Sequence, residues 1–298
     1  LRARKYREDK PFAVMFPDLE QIAEYCEINS HEQQLLTGVE HPIVLLKIIK
    51  PVAESVAPGN RYLGCMLPHS PVHHLLMHYC ATPLVMTSGN KSDEPVKYDN
   101  QQALDQLGSI ADYFLLNNRD INIRCDDSVV RSYKNETYPI RRSRGYVPAD
   151  LYLKHTFSGE ILACGAEQKN VFALAKKQQL YMSHHIGDLK NYAVLKAFES
   201  GIEHFQRIFD IDPKVITVDK HPEYLSTIHG IEIAQSDDLS LVKVQHHHAH
   251  AAACMAENQL KEPVLALVLD GTGYGDDGTI WGGELLLCDF KKSQRIGH

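Results

Sequence analysis

The densest chemical feature of the sequence is VQHHHAHAAA at residues 244–253, with four histidines in five consecutive positions. His246 and His250 stand four apart, so on a helix they share one face about one turn apart. That spacing lets two imidazoles hold one metal ion. A single histidine is ordinarily a satisfied core residue, but this cluster points to metal ligation. His247 and His248 point elsewhere on such a helix, to a substrate or into the fold. Downstream, LDGTGYGDDGTIWGGE (269–284) follows an apolar run. Asp270, Gly271, Thr272 and Gly273 describe a turn whose backbone amides can approach a phosphate closely. The same stretch also reads as a plain β-hairpin, which the DDG at 276–278 supports by itself. Upstream, GAEQKN (165–170) joins two strand-like runs and offers Lys169 to neutralise an anion.

A second group lies in the first half. Arg2, Arg4, Lys5, Arg7 and Lys10 crowd the first ten residues, as a solvated cationic face or as one wall of an anion site. TSGN (87–90) ends an apolar run with two hydroxyls, a glycine and an amide, so Ser88 and Asn90 can meet phosphate oxygens. Asp126, Asp127 and Ser128 open one strand-like run, and Arg141, Arg142 and Arg144 lead into Gly145. Taken singly these signals are weak; together they describe a polyanion pocket. His69, His73 and His74 flank an LP-SP segment, as polar residues at a helix start or as catalytic groups.

These groups need elements to position them. Residues 1–9 read as the end of a helix and KPFAVMF (10–16) as a strand. Residues 17–36 have helical spacing, with Pro17 and Asp18 at the start. HPIVLLKII (41–49) reads as a buried strand and 70–80 as a helix, while TPLVMTSGN (82–90) is a strand entering a turn. A short helix at 99–109 and a strand at 113–117 follow, then 128–133 and 138–143 pair across KNET. A Pro- and Gly-punctuated break at 146–160 separates the two halves. Beyond it, 161–167, 171–177 and 179–185 form a three-strand meander, 191–209 a long amphipathic helix, 214–220 a strand and 248–260 a helix. Residues 263–290 read as strand, Gly-rich turn, strand. The expected class is α/β, of mixed α+β kind, with domains at 1–150 and 151–298. A length of 298 residues, 44% hydrophobic and 23% charged, suits two ordinary packed cores.

A formal net charge of −7 argues against a general nucleic-acid binder. No apolar run approaches the ~20 residues that span a bilayer. The seven cysteines are scattered with no CxxC pair, as expected of free thiols in a reducing cytoplasm. The chain begins without Met inside a charged stretch and ends just after a strand-like run, so it reads as an internal fragment.

Two ordered sets of motifs carry a family resemblance. KYREDKPFAVM, GCMLPHSPVHHLL, VMTSGN, DDSVVR and RRSRGYVP fill the first half. GAEQKNVFAL, HHIGDL, VDKHPEYLST, VQHHHAHAAA and DGTGYGDDGTIWGGE fill the second. In this order they resemble the HypF family, the carbamoyltransferases of [NiFe] hydrogenase maturation. The resemblance implies a YrdC-like twisted mixed sheet with helices, followed by the first part of an actin-like (ASKHA) domain. It implies that the first part makes carbamoyl-AMP from carbamoyl phosphate and ATP with Mg2+. The activated carbamoyl group would then reach the C-terminal cysteine of a partner protein, HypE. By motif position, Lys5 and Arg7 would contact phosphate or carboxylate, Ser88 and Asn90 the nucleotide phosphates, and Arg144 the phosphate tail. In the second part the turns bearing Lys169 and Asp270–Gly273 would face nucleotide. His246 and His250 would bind iron or another divalent metal such as zinc, with a third ligand, an Asp, expected beyond residue 298. The chain departs from the family pattern in lacking the first domain's opening strand and Gly-rich segment, an acylphosphatase domain and paired zinc-binding cysteines. Two other readings stand beside this one: an O-carbamoyltransferase acting on a small-molecule hydroxyl, and a nucleotide- and metal-binding scaffold without catalysis. The intact Lys5, Arg7, Ser88, Asn90, His246 and His250 speak against the scaffold.

Overall fold

Alternating side chains build the first sheet and give it two covered faces. In Ala13–Met15, Val14 joins a cluster with Ile22, Leu36, Val44, Leu46 and Cys65, whereas Met15 packs with Met66 and Met77 on the other side. A period of two sends successive side chains to opposite faces. The helices Leu19–Tyr25 and Ser30–Thr37 supply Ile22 and Leu36 to one face. The helix Pro71–Cys80 supplies Met77 to the other. The strand order is Leu84–Met86, Ala13–Met15, Tyr62–Met66, Ile43–Lys47, Val129–Tyr133, Glu136–Arg141, with parallel and antiparallel pairs mixed. This computed structural model describes residues 1–91 and 94–298. The chain divides into two units, Leu1–Pro148 and Ala149–His298.

Local chemistry explains where the elements of the first unit begin and end. The helical spacing over 17–36 resolves into two helices, because Asn29 caps the second. Its side chain accepts from Glu32 N–H while the Glu32 carboxylate accepts from Asn29 N–H, a reciprocal capping box. Between the helices Cys26 bridges to Ile48, tying the connection to the sheet. The last two strands turn through Lys134 and Asn135, both at positive φ (52° and 61°), as a tight hairpin requires. Two expectations fail. Residues 1–9 form turns rather than a helix end, pinned by Arg2 donating to the carbonyls of Arg7, Glu8 and Ser55. Residues 113–117 form no strand; Tyr113 and Leu115 stand exposed, so the apolar letters there reflect surface and not a buried run.

In the second unit the strand order is Ser240–Val244, Val215–Asp219, Ile161–Ala163, Ala173–Lys176, Gln179–Met182, Leu151–Tyr152. Ile161–Met182 is an antiparallel meander, and Val215–Asp219 and Ser240–Val244 add to it in parallel. The helix Tyr192–Phe209 follows its amphipathic pattern, burying Val194, Phe198, Ile202 and Phe205, with Phe198 and Phe205 set edge-on to Phe172. The helix Leu225–Ser236 lies close on the sheet: a Cβ on Gly230 would come 2.4 Å from Val218 Cγ1. The helix His246–Glu257 packs Ala251 and Met255 against a further sheet, ordered Val264–Val268, Glu284–Cys288, Ser293–Gly297. Among the described residues, no helix is long and apolar enough to cross a membrane.

Candidate functional site

Two parallel strands of the second unit end side by side and bring its chemistry together. Asp219 closes one strand and pairs with Val244 of the next, which leads through Gln245 into the histidine helix. Gln245 caps that helix, its side chain accepting from His248 N–H at 2.8 Å. His246 and His250 then stack one turn apart, their ring centroids 4.9 Å from each other. Asp270, just past the strand Val264–Val268, places its carboxylate 2.9 Å from His246 Nε2 and 3.8 Å from His250 Nε2. One ligand atom from each of the three lies within 4.8 Å of the others. Two imidazole nitrogens and a carboxylate oxygen form a donor set suited to a first-row divalent ion such as iron or zinc.

The other nitrogen of His246 is also engaged. Asp219 Oδ2 lies 2.7 Å from His246 Nδ1, and its second oxygen accepts from His221 N–H at 2.8 Å. The Asp219 carboxylate raises the pKa of His246, while burial, followed by the neighbouring His246, lowers that of His250. His247 and His248 serve the fold. His247 is fully buried with Nε2 2.7 Å from the Gly282 carbonyl, and His248 Nε2 lies 2.6 Å from the Asp289 carbonyl.

The Gly-rich turn divides into two roles. Asp270 turns to the histidines, where a phosphate-facing turn was expected. Gly271 and Thr272 are exposed, and a Cβ on Gly271 would meet nothing within 4 Å. Gly273 is buried for packing: its Cβ would come 2.4 Å from His247 Cε1. Lys169 sits exposed at positive φ (48°), its N–H held by Asp188 at 2.7 Å. Sequence reasoning missed Asp219, as well as the coplanar stack of His221 on Tyr224 beside it, with ring centroids 4.0 Å apart. The signal for Asp219 was a carboxylate at the last position of an apolar strand.

In the first unit three of the expected residues converge. Lys5 is 2% exposed, and its Nζ donates to Thr87 Oγ1 (3.1 Å), the Ser88 carbonyl (2.6 Å) and Asn90 Oδ1 (3.2 Å). Ser88 Oγ donates to Asn90 Oδ1 at 2.6 Å. Burial, then the charge of Arg7, lowers the pKa of the Lys5 ammonium. Arg7 itself turns to its own loop, donating to the Lys10 and Pro11 carbonyls and lying over the Phe12 ring. Arg144 is committed too, to Asp127 and to the carbonyls of Glu40 and His41. In this arrangement it braces the loop.

Family models match successive stretches of the chain. Residues 1–143 match the Sua5/YciO/YrdC family described as Telomere recombination, and 156–257 match the HypF Kae1-like domain. Residues 266–298 match the second subdomain of the Kae1-like carbamoyltransferase domain. Fold and sites thus define a protein that joins a YrdC-like unit to a Kae1-like unit carrying a histidine–carboxylate group. It is 44% identical to carbamoyltransferase HypF2 of Cupriavidus necator and 43% to carbamoyltransferase HypF of Synechocystis, matching along all of this chain and 39% of each relative. A crystal structure of full-length HypF in a phosphate- and nucleotide-bound form superposes with a TM-score of 0.93 at 47% identity, covering 99% of this chain and 46% of that one. The HypF of T. kodakarensis gives 0.93 at 40% identity, over 100% and 39%. The chain belongs to the HypF family, and it spans about two fifths of the length of these curated relatives.

Proposed function

We propose that the chain carries the two central steps of an ATP-dependent carbamoyl transfer: formation of carbamoyl-AMP on the first unit and delivery of the carbamoyl group on the second. The boundary we propose between the two activities lies near residue 150. The observation that carries the reading is the His246–His250–Asp270 group, a set of ligand atoms within 4.8 Å of one another, in a family named for carbamoyl transfer.

On the first unit, carbamoyl phosphate loses its phosphate to water, and the resulting carbamate oxygen attacks the α-phosphorus of ATP. Carbamoyl-AMP forms and pyrophosphate leaves. Both substrates are polyanions that repel each other, so fixed cations must hold them together. Lys5 is the buried cation in position to do so, with Ser88 and Asn90 as neutral donors beside it and Mg2+ travelling with ATP. Substrate must draw the Lys5 ammonium from the Thr87, Ser88 and Asn90 oxygens that now receive it. Arg7 and Arg144 reach a phosphate only by leaving their present carbonyl partners.

On the second unit, His246, His250 and Asp270 would hold a divalent ion, iron or zinc, which as a Lewis acid polarises a carbonyl oxygen. Asp219 keeps Nδ1 of His246 occupied and so presents Nε2. In this reading the exposed Gly271, Thr272 and Lys169 would receive the nucleotide phosphates. The acceptor in this reading is the C-terminal cysteine thiolate of HypE, in the cytoplasm.

The test uses the full-length protein with ATP, Mg2+ and carbamoyl phosphate labelled in the carbamoyl carbon, offered a peptide ending in HypE's C-terminal cysteine. The reading predicts label on the thiol. Label only on small-molecule hydroxyls would favour an O-carbamoyltransferase, and label on neither would leave only the scaffold.

A further inference from the structure

Three carboxylates on three segments of the second unit surround one phenol that the chemistry above leaves idle. Tyr224 immediately precedes the helix Leu225–Ser236 and gives it no side-chain cap. Glu167 takes that role from the hairpin, accepting from Leu225 N–H at 2.7 Å. The Tyr224 ring is instead fixed by stacking on His221, with centroids 4.0 Å apart and planes 4° from parallel. His221 is itself held twice: its N–H donates to Asp219 Oδ1 (2.8 Å), and its Nδ1 accepts from Glu223 N–H (3.2 Å). The Tyr274 ring meets His221 edge-on at 5.3 Å.

The hydroxyl end of the Tyr224 ring lies beside the metal group. Asp219 and Asp270 stand at the two ring nitrogens of His246, 2.7 and 2.9 Å away. Burial, then the charges of Asp219, Glu167 and Asp270, raises the pKa of the phenol, so it keeps its proton. A charge acts on a phenol through its oxygen and weakens with distance, so the hydroxyl sits near both carboxylates that flank His246.

These carboxylates have other partners. Asp219 accepts from His221 N–H and faces His246, Glu167 accepts from Leu225 N–H, and Asp270 faces the two histidines. Among the described residues the Tyr224 hydroxyl makes no hydrogen bond, and the residue is only partly buried. The metal group beside it is open as well, with the side chains of His250 and Asp270 56% and 32% exposed. A ligand entering from solvent can therefore reach both. Three protein ligands leave a coordination position for such a ligand, and a tyrosine hydroxyl can donate to one of its oxygens.

We propose that Tyr224 is a substrate-contacting residue of the second unit, its phenol donating a hydrogen bond to the acyl oxygen of a ligand bound on the His246–His250–Asp270 metal. A neutral donor fixed before the ligand arrives stabilises negative charge that develops on that oxygen. The proton stays on the phenol throughout. The inference rests on the metal reading given above and is independent of carbamoyl-AMP formation on the first unit.

The test uses the full-length protein loaded with Co2+. Acetohydroxamate is the probe with an acyl oxygen; imidazole binds metal by nitrogen and offers the phenol no acceptor. The visible Co2+ band that is lost in His250→Ala reports both titrations. Tyr224→Phe keeps a ring on His221 and deletes the donor alone. Its affinity for acetohydroxamate is expected to fall roughly fivefold or more, the worth of one hydrogen bond, with Co2+ and imidazole binding unchanged. Tyr274→Phe is the control, because that hydroxyl lies by the Gly278 turn, 3.7 Å from where a Gly278 Cβ would stand. It should bind both probes as wild type does. The inference is overturned if Tyr224→Phe takes acetohydroxamate as well as wild type, if it loses imidazole to the same extent, or if Tyr274→Phe loses acetohydroxamate equally. A wild type with no His250-dependent band would remove the metal reading itself, and this inference with it.

Discussion

Asp219 Oδ2 lies 2.7 Å from Nδ1 of His246, from a carboxylate that is itself 9% exposed. The pair joins the end of a strand to the first residue of a helix, and it decides which ring nitrogen of His246 is left to face Asp270. A ligand histidine held in this way has a fixed tautomer and ring angle, and the carboxylate makes it a better donor. Replacing Asp219 by Ala is expected to weaken divalent-metal binding by about 10- to 100-fold. Asn, which can still accept from Nδ1–H, should recover much of the loss. Competition titration of Co2+ against a chromophoric chelator measures the affinities, and the visible Co2+ band reports whether the ligand geometry has changed.

Gly273 was expected to make room for phosphate, and the structure gives it a different reason to be small. A Cβ there would come 2.4 Å from His247 Cε1 and 3.0 Å from His246 Cβ. The His247 ring cannot give way, because Gly282 and Gln245 hold both its nitrogens. Gly273→Ala should therefore cost about 1–3 kcal/mol in urea unfolding of the second unit, the usual price of overpacking. It should also weaken metal binding by displacing His246. Gly271→Ala, with open space around it, should leave stability unchanged.

The pH dependence of the first unit carries the mark of His69. Its pKa falls from 6.5 to about 4 on folding, by burial first and Arg144 second. The unfolded chain therefore binds the proton more readily. His69 contributes most to stability above pH 6.5, and the contribution is lost as pH falls from 6.5 toward 4. In thermal melts across that window, His69→Gln should narrow the acid-side drop in Tm relative to wild type. Parallel curves for the two proteins would contradict the assignment.

How much of this was legible beforehand depends on the range of the signal. His246 and His250 were visible because i, i+4 spacing is local and survives any tertiary arrangement. The turn at Lys134 and Asn135 was visible for the same reason, as a short polar link between two alternating runs. Asp270 was visible as a chemical residue but was given to nucleotide, because only the folded chain brings its carboxylate beside a helix twenty residues earlier. Asp219 was unread because its role rests on register, Asp219 opposite Val244, which no local pattern encodes. Arg7 and Arg144 carry charges that suit a phosphate, yet the nearest acceptors are loop carbonyls and Asp127. The strand expected at 113–117 failed in the same way, since an apolar pattern does not say which runs find a neighbour.

The division of labour between the two units is tested most directly by carbamoyl-phosphate-dependent exchange of labelled pyrophosphate into ATP, measured on the full-length protein. Exchange requires carbamoyl-AMP to form reversibly and needs nothing from the metal group. The account predicts exchange in the wild type, a fall of about 100-fold or more in Lys5→Ala on loss of a buried charge contact to substrate, and no change in His250→Ala. Absence of exchange in the wild type, or an equal loss in His250→Ala, would contradict it.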